Sequence, residues 1–152
     1  MLNKTGLILP IVAGLTLSVV GCGTNDAQSQ VETLELIGSW ASAWGTEVIT
    51  ADKWNRATII EYDNKKNRAI TQLPADDEYN PSKFARMVWT EKADNSFYFC
   101  TDALGKLTVD EARNSDDIAD SGDLDGAGCN GFPWTKLVPA IEVHGTWITE
   151  WG

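Results

Sequence analysis

Two pairs of strand-like segments, each pair joined by a short polar turn, constrain this fold more than any other feature of the sequence. Residues 56–62 (RATIIEY) and 68–73 (RAITQL) are rich in β-forming side chains and flank the turn formers of residues 63–67. Residues 84–91 (FARMVWTE) and 96–102 (SFYFCTD) flank a second polar turn in the same way. Each pair predicts an antiparallel hairpin.

A short helix is predicted after the second hairpin. In residues 108–111 a threonine precedes a glutamate by three positions, which is the pattern of a capping box, and acidic residues occupy the first turn. Residues 114–125 are mostly turn formers, so the helix must be short. Together these features predict a mainly β fold, either an antiparallel meander sheet or a small barrel, with one short helix.

The first 21 residues have the three-part pattern of an export signal. Lys4 precedes an apolar run over residues 7–20, and small residues follow it. The run is shorter than the roughly 18 to 20 apolar residues that a membrane-spanning helix needs, and Pro10 interrupts it. We therefore interpret residues 1–21 as a signal peptide that is removed on export.

The end of this segment, Val19-Val20-Gly21-Cys22, resembles the lipobox of bacterial lipoproteins, with Val19 where leucine is more usual. The resemblance implies that the signal is cut before Cys22 and that this residue carries three acyl chains, of which two suffice for stable anchoring. In that family the residue after the cysteine directs sorting, and Gly23 in place of aspartate implies the outer membrane, if the cell has one. An ordinary cleavable signal with an incidental cysteine is the alternative.

The lipobox resemblance divides the rest of the chain into a tether and a domain. Residues 22–34 are expected to be the lipidated cysteine and a flexible tether, and residues 35–138 the β domain. Without the signal, which holds one of the 12 basic residues, 11 basic residues face 22 acidic ones, a net charge near −11. This charge argues against binding of nucleic acid or anionic lipid headgroups, because both need a basic face.

Under the same resemblance, assigning Cys22 to lipid leaves Cys100 and Cys129 as the other cysteines of an exported protein. In an oxidising compartment these two are expected to form a disulfide. Two free thiols or a shared metal are the alternatives, although two cysteines with the single histidine, His144, make a poor zinc site.

A pattern of glycines and tryptophans occurs twice, at residues 38–45 (GSWASAWG) and 145–152 (GTWITEWG), so the offset is 145 − 38 = 107 residues. An offset of that size is typical of a repeated domain. Residues 139–152 are therefore a final strand with two interpretations. They begin a second copy of the module in a truncated chain, or they lie beside the first strand and close its sheet.

Two further resemblances concern the domain itself. Residues 97–100 (FYFC) and 128–135 (GCNGFPWT) are similar to a lipoprotein domain of unknown function in bacterial surface proteins, which implies no activity. Gly38 and Trp40, as a Gly-x-Trp motif before antiparallel hairpins, resemble the opening of lipocalin-like barrels. That resemblance implies a carrier of a small apolar ligand.

The acidic stretch over residues 116–126 is the densest group of candidate metal ligands. Carboxylates in a flexible glycine-bearing loop suit calcium, so Asp120, Asp123 and Asp125 are a candidate calcium site. Phe132 occupies the position of the last ligand of an EF-hand loop, which excludes that motif. A solvated acidic loop without metal is the alternative.

Six of the seven tryptophans separate into two groups. Trp40, Trp89 and Trp147 fit a core position, whereas Trp44, Trp54 and Trp134 stand near turns and are candidate exposed ligand contacts. No phosphate loop, zinc signature or dinucleotide fingerprint occurs. We expect a non-enzymatic binding module of the cell envelope, whose partner is an envelope protein, a glycan or a small apolar ligand. A lipocalin-like carrier and an envelope hydrolase are the alternatives.

Overall fold

The computed structural model describes residues 32–140. The predicted export signal, Cys22, His144, Trp147 and the second glycine–tryptophan pattern lie outside these residues. Within the described part of the chain, no helix has the length and apolar character needed to cross a bilayer.

The described residues form a closed antiparallel barrel in which each strand is hydrogen-bonded to the next and the last strand to the first. The strands are β1 (Gly38–Ser42), β2 (Gly45–Ile49), β3 (Lys53–Trp54), β4 (Ala57–Asp63), β5 (Arg68–Gln72), β6 (Phe84–Trp89), β7 (Phe97–Lys106) and β8 (Thr135–Pro139). A 3₁₀ turn (Asn64–Lys66) joins β4 to β5, and the helix α1 (Val109–Arg113) lies between β7 and β8.

Both predicted hairpins are confirmed. Strands β4 and β5 pair with Ile59 opposite Thr71, and strands β6 and β7 pair with Trp89 opposite Phe99. The mainly β fold with a short helix is also confirmed, and of the two predicted arrangements it is the barrel.

Closure of the barrel depends on β8. This strand pairs with β7, where Phe97 lies opposite Leu137, and with β1, where Trp40 lies opposite Pro139. Within the described residues β1 therefore has a neighbour on each edge. Pro139 is also the first residue of the range 139–152, to which the sequence gave two interpretations, and residues 141–152 lie outside the described residues.

One end of the barrel is filled by the segment that precedes β1. Leu34, only 2% exposed, and Leu36 pack with Trp40, Trp89 and other inward-facing side chains in one apolar core. The segment is also hydrogen-bonded, since Asn64 Nδ2 lies 2.8 Å from the carbonyl oxygen of residue 33. The globular part therefore includes Leu34, which the sequence had grouped with the tether. We call this end of the barrel the closed end.

The opposite end, which we call the open end, carries the connections that follow the odd-numbered strands. They are the β1–β2 and β3–β4 turns, the loop over residues 73–83 and the long connection over residues 107–134. The long connection folds back over the barrel wall, since its helix packs against β5, β6 and β7 and the Arg86 side chain on β6 donates to the carbonyl oxygens of residues 113 and 115.

Several contacts stabilise this connection. Thr108 Oγ1 accepts a hydrogen bond from the backbone N–H of Glu111 at 3.1 Å, as the capping box predicted. The predicted disulfide is confirmed, with a Cys100–Cys129 S–S distance of 2.03 Å. The guanidinium of Arg113 in α1 donates to both carboxylate oxygens of Glu61 in β4 at 2.7 Å.

Candidate functional site

A cavity of about 270 Å³ opens into the barrel lumen at the open end. Its walls include four small inward-facing side chains on four successive strands, β4 to β7. They are Ala57, Thr71, Ala85 and Thr101. Because β6 and β7 carry Trp89 and Phe97 toward the closed end, where they pack with Trp40, Leu34 and Leu36, the lumen is packed at one end and has free space at the other.

Two buried residues form the inner boundary of the cavity. Trp54 and Met87 belong both to the packed core and to the cavity lining. Trp54 is held in place by aromatic contacts across the lumen, with ring centroids 5.3 Å from Phe99 and 6.4 Å from Trp89. The inner surface of the cavity is therefore apolar and fixed by the core.

Two carboxylates line this cavity, that of Asp77 in the loop over residues 73–83 and that of Glu47 on β2. Its Oε2 atom accepts hydrogen bonds from Trp54 Nε1 at 2.9 Å and from Asn55 Nδ2 at 2.6 Å. Among residues 32–140, no donor is hydrogen-bonded to its Oε1 atom and no ion pair includes it. Glu47 therefore brings a charge and a free acceptor to the cavity wall.

The other charged groups of the cavity rim are engaged elsewhere. Nη2 of Arg56 lies 2.5 and 2.7 Å from the two carboxylate oxygens of Asp76. Asp77 Oδ1 accepts the backbone N–H groups of Tyr79 at 3.1 Å and Asn80 at 2.8 Å, which shapes the loop over residues 73–83. The cation nearest the cavity is thus already paired with an acid.

The three tryptophans predicted as exposed contacts differ in outcome. Trp44, at the β1–β2 turn, is 87% exposed, as predicted. The prediction was wrong for Trp54, which is 3% exposed because its two-residue strand turns it into the lumen, although it does line the cavity. It was also wrong for Trp134, which is 7% exposed and donates from Nε1 to the carbonyl oxygen of Asp120 at 3.1 Å.

The candidate calcium ligands are not brought together. Among the described residues, no three histidine, cysteine, aspartate or glutamate side chains are placed to hold a metal ion, so Asp120, Asp123 and Asp125 form no such group. Asp120 Oδ1 instead accepts the backbone N–H of Gly122, and Asp123 Oδ2 that of Ala127, each at 2.8 Å. These two carboxylates satisfy the backbone of their own loop, which is the physical reason that they do not converge.

One member of the acidic stretch makes a contact to the barrel. Asp117 Oδ2 lies 2.8 Å from Nζ of Lys106, at the end of β7. The hydrogen bond from this lysine, supported by that of Ser115, holds the pKa of the Asp117 carboxyl below its usual value. Lys106 thus neutralises part of the negative charge of the acidic stretch.

A buried ion pair lies outside the lumen, between the barrel wall and the long connection. Arg86 on β6 donates from Nε and Nη2 to the two carboxylate oxygens of Asp102 on β7, at 2.8 and 2.9 Å. The same guanidinium donates to the backbone carbonyls of three residues in the connection, Arg113, Ser115 and Asp117. The sequence had not identified this pair. It does not line the cavity, and its contacts are those of a structural link.

Comparison with known proteins gives no match to a family model, a curated protein or a solved structure. The function is therefore inferred from the cavity, the charges around it and its position in the barrel.

Proposed function

We propose that this protein is a lipid-anchored protein of the cell envelope that binds a small molecule in the open end of its barrel. The observation that carries the proposal is the lumen cavity of about 270 Å³. Its volume exceeds the roughly 150 Å³ of an apolar cavity that holds benzene, and it lies just below the range of about 300–1,000 Å³ for sites that bind drug-sized ligands. The ligand is accordingly one ring or branched group with a short substituent.

The packed half of the lumen limits the kind of ligand. Trp40, Trp89 and Phe97 fill the closed end, and the rings of Trp40 and Phe97 meet edge to face at 4.7 Å. A long acyl chain would have to displace them, which the dense packing of aromatic side chains opposes. A small ligand is common to the binding module and to its first alternative, the lipocalin-like carrier of a small apolar ligand, and the packed closed end limits either one to a compact ligand.

The cavity and the entry of the described chain lie at opposite ends of the barrel. The chain enters the barrel at the closed end, where the carbonyl oxygen of residue 33 binds Asn64. The proposed anchor on Cys22 rests on the lipobox resemblance of residues 19–22.

The test of this proposal is a screen of small ring compounds against the full-length protein in detergent micelles. We expect saturable binding, seen as a change in tryptophan emission, because Trp54 borders the cavity. Ala85→Leu adds bulk to the cavity wall and should abolish that binding. The matched control is Ala41→Leu on β1, at a position away from the cavity lining. Equal binding by both variants and the wild type would rule out the lumen as the site.

A second candidate function, contact with another envelope protein, is favoured by exposed aromatic side chains at the open end. Trp44, Tyr79 and Phe132 are 87%, 80% and 71% exposed, and they lie in three different connections at that end. Exposed aromatic groups of this kind commonly anchor protein interfaces. In-cell crosslinking from position 44 that yields no protein adduct would exclude this candidate.

A further inference from the structure

We infer that the lumen cavity selects a small organic ammonium ion, an amine with an apolar ring or branched body, and that Glu47 determines this selectivity. The inference rests on the proposed function, because it names the ligand class of the same cavity. It depends on the charge of Glu47, on the pairing of the neighbouring cations and on the apolar lining.

The two carboxylate oxygens of Glu47 differ in their hydrogen bonds. A carboxylate offers about four acceptor positions on two oxygens. Here Trp54 and Asn55 both donate to Oε2, on one side of the group. In the described barrel, Oε1 has no hydrogen bond from the protein. A ligand with N–H donors would complete its coordination through charge-assisted hydrogen bonds.

The cationic side chains near Glu47 are bonded to other groups. Arg56 lines the same cavity but is held by the carboxylate of Asp76. Lys53, on the neighbouring strand β3, donates to Thr58 Oγ1 at 2.6 Å. Neither is bonded to Glu47. A half-buried carboxylate without a cationic partner is unfavourable, so a bound cation stabilises the site in a way that a neutral ligand does not.

The charge around the cavity disfavours anionic ligands. Glu47 and Asp77 line the cavity together with Arg56, whose charge is paired with Asp76, and the chain as a whole carries a formal net charge of −10. A cleft in which one sign of charge predominates concentrates counter-ions of the other sign and repels ions of its own. Anionic ligands are therefore disfavoured both on approach and in the cavity.

The remaining lining matches an apolar body. Trp54 and Met87 form the inner boundary, Leu73 and Leu104 contribute to the lining, and Ala57 and Ala85 add two methyl groups. An amine whose ring contacts these side chains can direct its nitrogen at Glu47. Ammonium recognition in proteins commonly combines apolar or aromatic surface with a nearby negative charge.

The test uses three probes that share one ring and differ in charge: benzylamine, benzyl alcohol and benzoate. Each is titrated at millimolar concentration into the full-length protein in detergent micelles, and tryptophan emission and calorimetry measure the affinity. We expect benzylamine to bind at least about tenfold more tightly than benzyl alcohol, and benzoate to bind most weakly.

Two variants assign the selectivity to one residue. Glu47→Gln should reduce the affinity for benzylamine to that for benzyl alcohol and leave the latter unchanged. The matched control is Glu35→Gln, because Glu35 Oε1 accepts Trp89 Nε1 at 2.7 Å in a similar pair at the closed end. It removes the same charge far from the cavity and should leave both affinities unchanged.

The outcomes separate the two proposals. If benzyl alcohol binds as tightly as benzylamine in the lumen, the ammonium inference is overturned and the proposed function stands. If none of the three probes binds, both are overturned. The comparison of probes on the wild-type protein decides the inference even if Glu47→Gln fails to fold.

Discussion

The most informative perturbation of the fold is Arg86→Met. The Asp102 side chain is only 5% exposed, and both of its oxygens accept hydrogen bonds from Arg86. Methionine has a similar length but no charge and no donors, so the carboxylate would remain buried without a partner. The carbonyls of the long connection that Arg86 binds would also lose their donor.

The expected cost is large because a buried charge is left unpaired. Removal of one member of a buried ion pair destabilises proteins by about 3–5 kcal/mol. With a urea m-value of about 1.5 kcal/mol/M for a domain of this size, the unfolding midpoint should fall by about 2–3 M. The double variant Arg86→Met with Asp102→Leu removes both charges and should recover most of that loss, because an apolar pair of similar volume can replace a buried ion pair.

The assay is equilibrium urea unfolding, followed by tryptophan fluorescence with the disulfide oxidised. A loss below about 1 kcal/mol in the single variant would refute the reasoning, since that is the range of an exposed ion pair. A double variant as unstable as the single one would also refute it, because the cost would then not come from the unpaired carboxylate.

Three other predictions concern interactions that stabilise the barrel. Replacing Cys100 and Cys129 by alanine should lower the free energy of unfolding by about 3.6 kcal/mol for a sequence separation of 29, measured by the same unfolding assay. The hydrogen bond from Arg113 lowers the pKa of Glu61, so the stabilising contribution of this carboxylate is present at neutral pH and lost as the pH falls below about 4.5. Glu61→Gln should therefore flatten the fall of melting temperature in that pH range, and an unchanged acid profile would contradict this. Leu34→Ala should cost about 2–5 kcal/mol in chemical denaturation but leave probe binding intact, whereas a neutral effect would mean that the segment before β1 is not part of the core.

The local elements were predictable because their signals are local. The β4–β5 and β6–β7 hairpins follow from β-rich runs on either side of turn formers, and the start of α1 follows from the spacing of Thr108 and Glu111. The disulfide followed from the number of cysteines once the lipobox resemblance had assigned Cys22. Each of these inferences needed only residues that are close in sequence or a simple count.

The candidate site was not predictable in the same way, because it depends on closure of the barrel. Proximity to turns favoured exposure of Trp54 and Trp134, but one lies on a short strand that faces the lumen and the other under the long connection. Ala57 and Ala85 are unremarkable in sequence. They line a cavity only because four strands turn small side chains toward the same end of the lumen.

The Arg86–Asp102 pair was missed for a related reason. The two residues lie on adjacent strands, and Arg86 is paired with Ala103 in the ladder, one position from Asp102, next to a β-bulge. Their burial comes from the connection over residues 107–134, which folds back over the outer face of the barrel. The hydrophobic periodicity of β6 and β7 does not indicate that this connection covers the two residues.

The most direct test of the central claim, that the open end of the lumen is a ligand site, is methyl NMR of the full-length protein in micelles during titration with benzylamine. We expect saturable shifts of the Met87, Ala57 and Ala85 methyl groups with contacts between probe and protein, and unchanged signals from Leu34 at the closed end. Unperturbed Met87 and Ala85 methyl groups, or shifts confined to the outer surface, would contradict it.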